Sequence, residues 1–322
     1  MVPRVSVIVP TFRRDRFLER CLDALGNQDL EPDRFEILVS DNAGSETTER
    51  LVGDWRRRNA VSVKYLDASQ RRGPAAARNV AWRTARGEII AFTDDDCLPA
   101  PSWLREGVSC FGEGVVGIWG RIVVPISDRP TDYERDTSHL ESAEFVNANC
   151  FYRRDVLEAV GGFDERFETA WREDSDLYFR LLENGGQFAR CEQAVVVHPP
   201  RPAPWGVSLR QQKKSMFNAL LYKKHPVLYR KRIQANPPWH YYGSIGSLVL
   251  GLSGLMVHSP LLTVAGGAAW LALTARFCAS RLARTSRAPA HVLEMMVTSA
   301  LIPPLSVFWR LRGAWHFRVL FF

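Results

Sequence analysis

The chain has 322 residues, 46% of them hydrophobic and 24% charged, a composition that excludes disorder and accommodates one large α/β domain with a smaller appendage. Its formal charge of +7 conceals an asymmetry: up to residue 200 there are 26 Lys and Arg against 34 Asp and Glu, whereas from Arg201 onward there are 16 against a single acid, Glu294. A rear half both basic and apolar points to a membrane surface rather than to nucleic acid, since no aromatic-basic module accompanies the charge.

The opening run Val5 to Val9 reads as a buried strand closed by Pro10-Thr11, not as a signal peptide, so the front of the chain is expected in the cytoplasm. Apolar residues at Phe17, Leu18, Cys21, Leu22 and Leu25 share a helical face. Phe35 to Val39 is a second strand ending in the turn-forming Ser40-Asp41-Asn42-Ala43-Gly44-Ser45. A helix over Thr47 to Arg58, a strand over Val61 to Leu66, an alanine-rich helix over Gly73 to Arg86 and a strand over Glu88 to Phe92 follow. This alternation is the βαβ rhythm of a parallel sheet. Ligands of such sheets bind outside the strand carboxyl ends, where Pro10-Thr11, Asp41 and Asp94-Asp95-Asp96 all fall.

Further on, the pattern predicts a helix over Trp103 to Cys110, strands within Val115 to Val124, and an extended stretch over Phe145 to Arg153. Helices over Arg154 to Val160 and Glu173 to Glu183 end at glycines, and a strand over Gln193 to Val197 runs into His198. Pro199, Pro200, Pro202 and Pro204 form an elbow, taken as the boundary of a domain spanning 1–200. A basic linker covers 201–232, with a helical stretch from about Leu209 to Lys224, and an apolar region covers 233–322. Ile233 to Ala275 holds no charged residue and has the length of two spanning helices, turning at His258-Ser259-Pro260. Flanking arginines and lysines would hold both ends of that hairpin in the cytoplasm. Met295 to Trp309, interrupted by Pro303-Pro304, suits an interfacial or re-entrant placement. The cysteines Cys21, Cys97, Cys110, Cys150, Cys191 and Cys278 show no paired spacing, which predicts reduced thiols and no cysteine metal site.

Three adjacent carboxylates at a strand end repel one another unless a cation neutralises them. Oxygen ligands select hard ions such as Mg²⁺ or Mn²⁺, which in turn bind diphosphate oxygens. A solvated acidic loop is the plainer alternative. Behind Trp171, Glu173, Asp174 and Asp176 crowd a helix start, where capping accounts for one acid but not for three. A carboxylate there suits a general base. His198, alone at a strand end, is either structural or a metal ligand.

Together these pieces resemble glycosyltransferase family 2, enzymes of GT-A fold, over about residues 3 to 200. Val5 to Arg14 is similar to the family's opening strand and turn, which implies that Pro10, Thr11 and Arg13 meet the nucleotide. Ile37 to Asn42 is similar to its second strand, whose Asp, here Asp41, would read the base. Arg72-Gly73-Pro74-Ala75-Ala76-Ala77-Arg78-Asn79 is similar to a helix start near the nucleotide and implicates Arg78. Asp94-Asp95-Asp96-Cys97-Leu98-Pro99 matches the DxD element. By that match Asp96 holds the metal, Asp94 the ribose or the metal, and Asp95 belongs to the donor site. Gly161-Gly162-Phe163-Asp164-Glu165 resembles the stretch beside the acceptor.

Glu173-Asp174 matches the ED element, which makes Asp174 the catalytic base and places Glu173 with Trp171 on the acceptor side. His198 stands where many GT-A enzymes carry a further metal ligand. Two departures stand out: Asn42 follows Asp41 where many members have a second Asp, and no Gln-x-x-Arg-Trp element is found, which argues for addition of one sugar per encounter.

The resemblance implies an inverting transfer that depends on Mn²⁺ or Mg²⁺. It runs from a nucleotide-sugar, a UDP-sugar being favoured, to a lipid-linked or other glycan acceptor at the cytoplasmic face of the inner membrane. A sugar nucleotidyltransferase would instead open with a Gly-rich, Arg-containing loop, and Pro10-Thr11-Phe12-Arg13-Arg14 has no glycine. A non-catalytic membrane adaptor on the same fold would be expected to lack the metal or base carboxylates.

Overall fold

The computed structural model describes residues 2–322, in two compact units. The first comprises residues up to Pro125 together with Ser138–Arg201, and the second comprises Ile126–Thr137 together with Pro202–Phe322. A contiguous front domain was expected from the sequence. The chain instead sends a short segment, including most of helix α5 (Asp132–Ser138), to the second unit and then returns.

In the first unit the front follows the expected alternation: β1 (Val5–Thr11), α1 (Asp15–Gly26), β2 (Phe35–Asp41), α2 (Glu46–Arg58), β3 (Ser62–Asp67), α3 (Pro74–Thr84) and β4 (Ile89–Phe92). Then come β5 (Leu98–Pro99), α4 (Trp103–Ser109) and β6 (Val115–Val123), and, after α5, β7 (Cys150–Arg153), α6 (Arg154–Val160), α7 (Glu173–Glu183) and β8 (Gln187–Val197). The eight strands form one sheet in the order β3-β2-β1-β4-β7-β6-β8-β5. β1 pairs in parallel with both β2 and β4, whereas β7 runs antiparallel to β4 and β6. The result is a mixed α/β sheet of GT-A type.

Every residue of β1 and β2 is buried, as expected of strands covered on both faces, which read as mostly apolar runs. Trp55 and Trp103 lie in the same core at 1% and 0% exposure. Burying a large apolar side chain contributes about 1.5–3 kcal/mol. The chain winds outward from β1 through β2 to β3 and then returns to β4 on β1's other side. The carboxyl ends of β1 and β4 therefore flank the switch point at which such sheets bind ligands.

β8 is longer than the strand expected over Gln193 to Val197. Its pairing with β6 shifts register between Gly120↔Cys191 and Arg121↔Val195, so the two halves of β8 are separated by a bulge. Asn149 donates to the carbonyls of Arg121 and Ala194 and accepts from Trp103 Nε1, fixing that irregularity. The stretch expected to be extended from Phe145 contains a 3₁₀ turn at Asn147–Asn149 before β7 begins. The thiols were expected to be free, yet Cys110, at the end of α4, and Cys191, on β8, form a disulfide with Cα atoms 6.1 Å apart. Their separation of 81 residues hides the pair from any spacing rule.

The second unit contains α8 (Val207–Gln211), α9 (Met216–Lys224), α10 (Pro226–Arg232), α11 (Trp239–Met256), α12 (Pro260–Leu282) and α13 (Pro289–His316). α11 and α12 form a hairpin turning at His258, whose φ is 54°. A Cβ on Gly266 would stand 2.3 Å from Gly251 N, so these helices approach through bare backbone. Among the described residues, the two helices long and apolar enough to cross a membrane are α12 and α13, whose apolar windows have mean hydropathies of 1.4 and 1.5. That corrects the expected pairing of α11 with α12. Helix α13 runs unbroken through Pro303 and Pro304. The two prolines forgo backbone donors, but they do not end the helix.

Inside this unit Arg281, 9% exposed, donates to Asp132 Oδ2 at 2.7 Å and to Thr298 Oγ1 at 2.7 Å. Ser286 N donates to Pro130 O at 2.8 Å. The segment 126–137 thus ties down the end of α12 and the start of α13. The lone acid Glu294 accepts from Gly206 N.

Candidate active site

A cleft of about 550 Å³ opens at the switch point, lined by Pro10, Thr11, Asn42, Arg78 and all three acids of the triplet, among others. The sheet brings Thr11 and the triplet together because β1 and β4 are neighbours in register. Thr11 Oγ1 donates to Asp95 Oδ2 at 2.7 Å, and Arg14 Nη1 donates to Asp95 Oδ1 at 2.6 Å. Both oxygens of the middle acid are thus engaged, one by the last residue of β1 and one by the loop after it, so Asp95, expected among donor ligands, pins that strand end to the loop after β4. Burial pushes its pKa up to about 6, with Asp96 and Asp94 adding to the rise and Arg14 opposing it.

Arg78, 3% exposed, links two acids: Nη2 donates to Asp94 Oδ1 at 2.7 Å and Nη1 donates to Glu173 Oε1 at 3.0 Å. The helix that carries it starts at Gly73, whose φ of 91° and position 2.6 Å (from its notional Cβ) to Glu168 O leave no room for a side chain. Pro74 then sits at the first helical position, where a missing N–H costs nothing. The next residue, Asn79, accepts from Phe163 N and donates to Phe163 O, both at 2.9 Å, and so holds the Gly161-Gly162-Phe163 stretch against α3.

Glu173, 3% exposed, opens α7 and also accepts from Asn147 Nδ2 at 3.3 Å. Burial and the neighbouring Asp174 raise its pKa to about 7 against the pull of Arg78. Asp174, half-buried, accepts from Ser175 N at 2.6 Å and is likewise raised by burial. Although burial also acts on Asp94, Arg78, His198 and Arg14 outweigh it and hold that carboxyl below its ordinary value.

Asp96, Cys97 and His198 bring potential ligand atoms within 4.8 Å of one another. His198 Nε2 lies 3.6 Å from Asp96 Oδ1, and His198 Nδ1 is buried without a hydrogen-bond partner among the described residues. Burial pushes the Cys97 thiol well up, and a soft sulfur ligand does not suit hard ions such as Mg²⁺ or Mn²⁺. A carboxylate and an imidazole that face each other fit a divalent ion such as Mn²⁺. Asp94, expected as a metal ligand, is held by Arg78 and is not part of that cluster.

Several expected residues lie elsewhere. Arg13, at φ 54°, is exposed over the Phe12 ring, so that Arg14 rather than Arg13 reaches the triplet. Asp41 accepts from Ala43 N at 2.8 Å, from Ser45 N at 2.7 Å and from the Tyr65 hydroxyl at 3.2 Å. It is absent from the cleft lining, where its neighbour Asn42 appears. Asn42 accepts from Gly73 N and donates to Arg71 O, joining the β2 turn to the loop ahead of α3. Trp171 is 37% exposed, with Arg172 stacked 4.5 Å from its ring. Trp171, Glu173, Asp174 and His198 do not line this cleft. The arginines Arg14 and Arg201 were missed; both approach Asp96, Arg201 Nε at 3.0 Å from Oδ2.

A mixed sheet with a cleft at its switch point, an acidic triplet in its lining and an acid pair at a helix start joined to that triplet through Arg78 is the arrangement of the GT-A class of sugar-transferring enzymes. The chain belongs to glycosyltransferase family 2. The model described as Glycosyl transferase family 2 matches residues 6–169, and that described as Glycosyl transferase family group 2 matches residues 89–309. It is therefore an enzyme that transfers sugars from nucleotide-sugars.

Glycosyltransferase AglE of Haloferax volcanii is 28% identical over 223 residues, 66% of this chain and 71% of that protein. The GalNAc(5)-diNAcBac-PP-undecaprenol β-1,3-glucosyltransferase of Campylobacter jejuni is 30% identical over 123 residues, 38% of this chain and 39% of that one. Against several other relatives the match covers half of their length or less, as with 49% of validoxylamine A glucosyltransferase from Streptomyces hygroscopicus. Among solved structures, a mannosyltransferase from Pyrobaculum calidifontis in complex with GDP-Man and Mn²⁺ aligns with a TM-score of 0.59 at 22% identity. The alignment covers 98% of this chain and 88% of that one, and supports the shared fold.

Proposed function

We propose that this enzyme transfers one sugar per encounter, with inversion, from a nucleotide-sugar to a hydroxyl of a lipid-linked glycan at the cytoplasmic face of a membrane. The observation that carries the reading is the shared guanidinium of Arg78, which ties Asp94 of the triplet to Glu173 beside Asp174. It couples the donor side of the reaction to the acceptor side through one rigid group.

In this reading the nucleotide lies against Pro10 and Thr11, with Asn42 at the edge of the same cleft and Asp41 shaping the turn beneath it. Asp96 and His198 would hold the divalent ion, which when bound would supply positive charge against the leaving diphosphate. Asp174 accepts the acceptor hydroxyl's proton, and burial, by raising its pKa above the ordinary Asp value, makes it a stronger base for that task. Arg78 fixes the orientation of Glu173 and Asp94, and Glu173 with Trp171 borders the acceptor.

Membrane attachment through α12 and α13 is supported by their lengths of 23 and 28 residues. At 1.5 Å per residue each exceeds a hydrocarbon core of about 30 Å. In α12 the apolar window is only 6% buried, unlike the core helix of a soluble protein. A lipid-linked acceptor suits an enzyme so anchored, as does the undecaprenol-linked substrate in the name of the Campylobacter relative.

The test is turnover of UDP-, GDP- and dTDP-sugars with a short-chain polyprenyl-diphosphate glycan, the product's anomeric configuration being read by NMR. One donor should be consumed with inversion, and a UDP-sugar is the first expectation. Retention of configuration, or transfer only to soluble acceptors, would overturn the corresponding part of the reading.

A further inference from the structure

The segment leaving β8 does more than lead out of the sheet. His198-Pro199-Pro200-Arg201 offers both of its ends to one carboxylate. His198 Nε2 lies 3.6 Å from Asp96 Oδ1, and Arg201 Nε lies 3.0 Å from Asp96 Oδ2. Asp96's side chain is only 3% exposed, and it shares a tight turn with Asp94 and Asp95, marked by Cys97 N donating to Asp94 O at 3.1 Å. Two like charges on the same turn make an unsupported third carboxylate costly and free to swing, since the terminal torsion of Asp is broad.

Arg14 is the other cation within reach of Oδ2, at 3.8 Å, but its closer commitment is to Asp95 at 2.6 Å. Arg201 is therefore the main partner of Oδ2. The residues between His198 and Arg201 are both proline, whose rings fix φ near −65°. The backbone between His198 and Arg201 is thus stiffened by the dipeptide, and His198 is itself anchored by its N–H to Val123 O at 2.8 Å.

We propose that Arg201 is a positioning residue for the metal site: it grips Asp96 by Oδ2 so that Oδ1 stays turned toward His198, and Pro199-Pro200 holds the two grips in register. The proposal rests on the reading of Asp96 and His198 as the divalent-cation ligands. Ligating carboxylates are held by further hydrogen bonds, and losing such a partner costs about 10–100-fold in metal affinity. Arg201 also lines the cleft, so the competing role is a contact to the donor's phosphates alone.

The experiment is calorimetric titration of the full-length protein in detergent with Mn²⁺, without nucleotide, followed by titration with the nucleoside diphosphate. Arg201→Gln should weaken Mn²⁺ binding about 10–100-fold, with an unchanged melting temperature. Arg201→Lys should recover part of the loss, and Pro199→Gly combined with Pro200→Gly should weaken binding while leaving both gripping side chains in place. Wild-type Mn²⁺ affinity in Arg201→Gln, with only nucleotide affinity reduced, overturns the positioning role in favour of the phosphate contact. If the wild type takes up no Mn²⁺, or Asp96→Ala binds it as well as wild type, the metal reading itself fails and takes the proposal with it.

Discussion

Arg78 performs a task that no lysine can, because a planar fork reaches two carboxylates at once whereas an ammonium is a single point of charge. Its Nη2 and Nη1 are divided between Asp94 and Glu173, so Arg78→Lys is expected to keep the fold but lose one of the two links. The expected outcome is a fall in kcat of about tenfold or more, consistent with misplacement of catalytic groups, and steady-state kinetics with a matched melting curve checks it. Asp174 and Glu173 give the pH prediction. Burial raises both, Glu173 to about 7, and a general base works only when ionised. Activity should therefore fall as the pH drops through an apparent pKa above the ordinary Asp value of about 3.9. A pH–rate profile whose acid limb lies near 4 would contradict the assignment.

At this scale the sequence was legible where a side chain's neighbours are set by strand ends, as for Thr11 and the triplet. It misled where one backbone angle decides. The left-handed Arg13 turns outward and delivers Arg14 instead, and Arg201 was hidden in a segment read as an elbow.

At the scale of elements, β1, β2 and β4 were readable because strands buried on both faces are mostly apolar, buried exceptions such as Ser6 and Glu36 being hydrogen-bonded to each other. β8 was read only in part because its first half, Gln187 to Ala194, has just two fully buried residues and is interrupted by a bulge. The 3.6-residue period of α13 was masked by two prolines, yet the helix continues and Pro303 is buried within it. The Cys110–Cys191 disulfide joins the end of α4 to β8, the strand that leads into His198, across 81 residues of chain. Closing so long a loop restricts the unfolded chain and contributes roughly 2–4 kcal/mol. Intact-mass counting after alkylation under non-reducing conditions should label four cysteines rather than six, and a dithiol reductant should lower the melting temperature. Six labelled thiols in the unreduced, unfolded protein would contradict the pairing. Gly107 gives a second check on packing. A Cβ there would stand 2.2 Å from the Phe151 ring, so Gly107→Ala should destabilise by about 1–3 kcal/mol, read as a lowered melting temperature with the cleft's nucleotide affinity retained.

At the scale of the whole molecule, the charge asymmetry read from the sequence corresponds to a division of labour between the acidic sheet unit and the basic helical unit. That unit exposes Leu255, Leu261, Val264 and Leu271 on α11 and α12, each more than half accessible. Its only acid beyond residue 200, Glu294, is engaged by Gly206 N. The protein is expected to bind vesicles containing anionic lipid and to remain bound after a high-salt and carbonate wash. Surface charge alone is screened within about 3 Å at 1 M salt, so release by salt would confine the attachment to the basic surface and remove the spanning helices from the account.

In the proposed transfer Asp96 serves a metal and Asp174 takes the acceptor's proton. Nucleotide release from the preferred sugar donor, with acceptor present, measured with and without Mn²⁺ for wild type, Asp96→Ala and Asp174→Asn, tests it most directly. Release is expected only with metal, with no metal response in Asp96→Ala and a fall in kcat of about 10²–10⁴ in Asp174→Asn with donor affinity preserved. Metal-independent release, or an Asp174→Asn variant as active as the wild type, would contradict it.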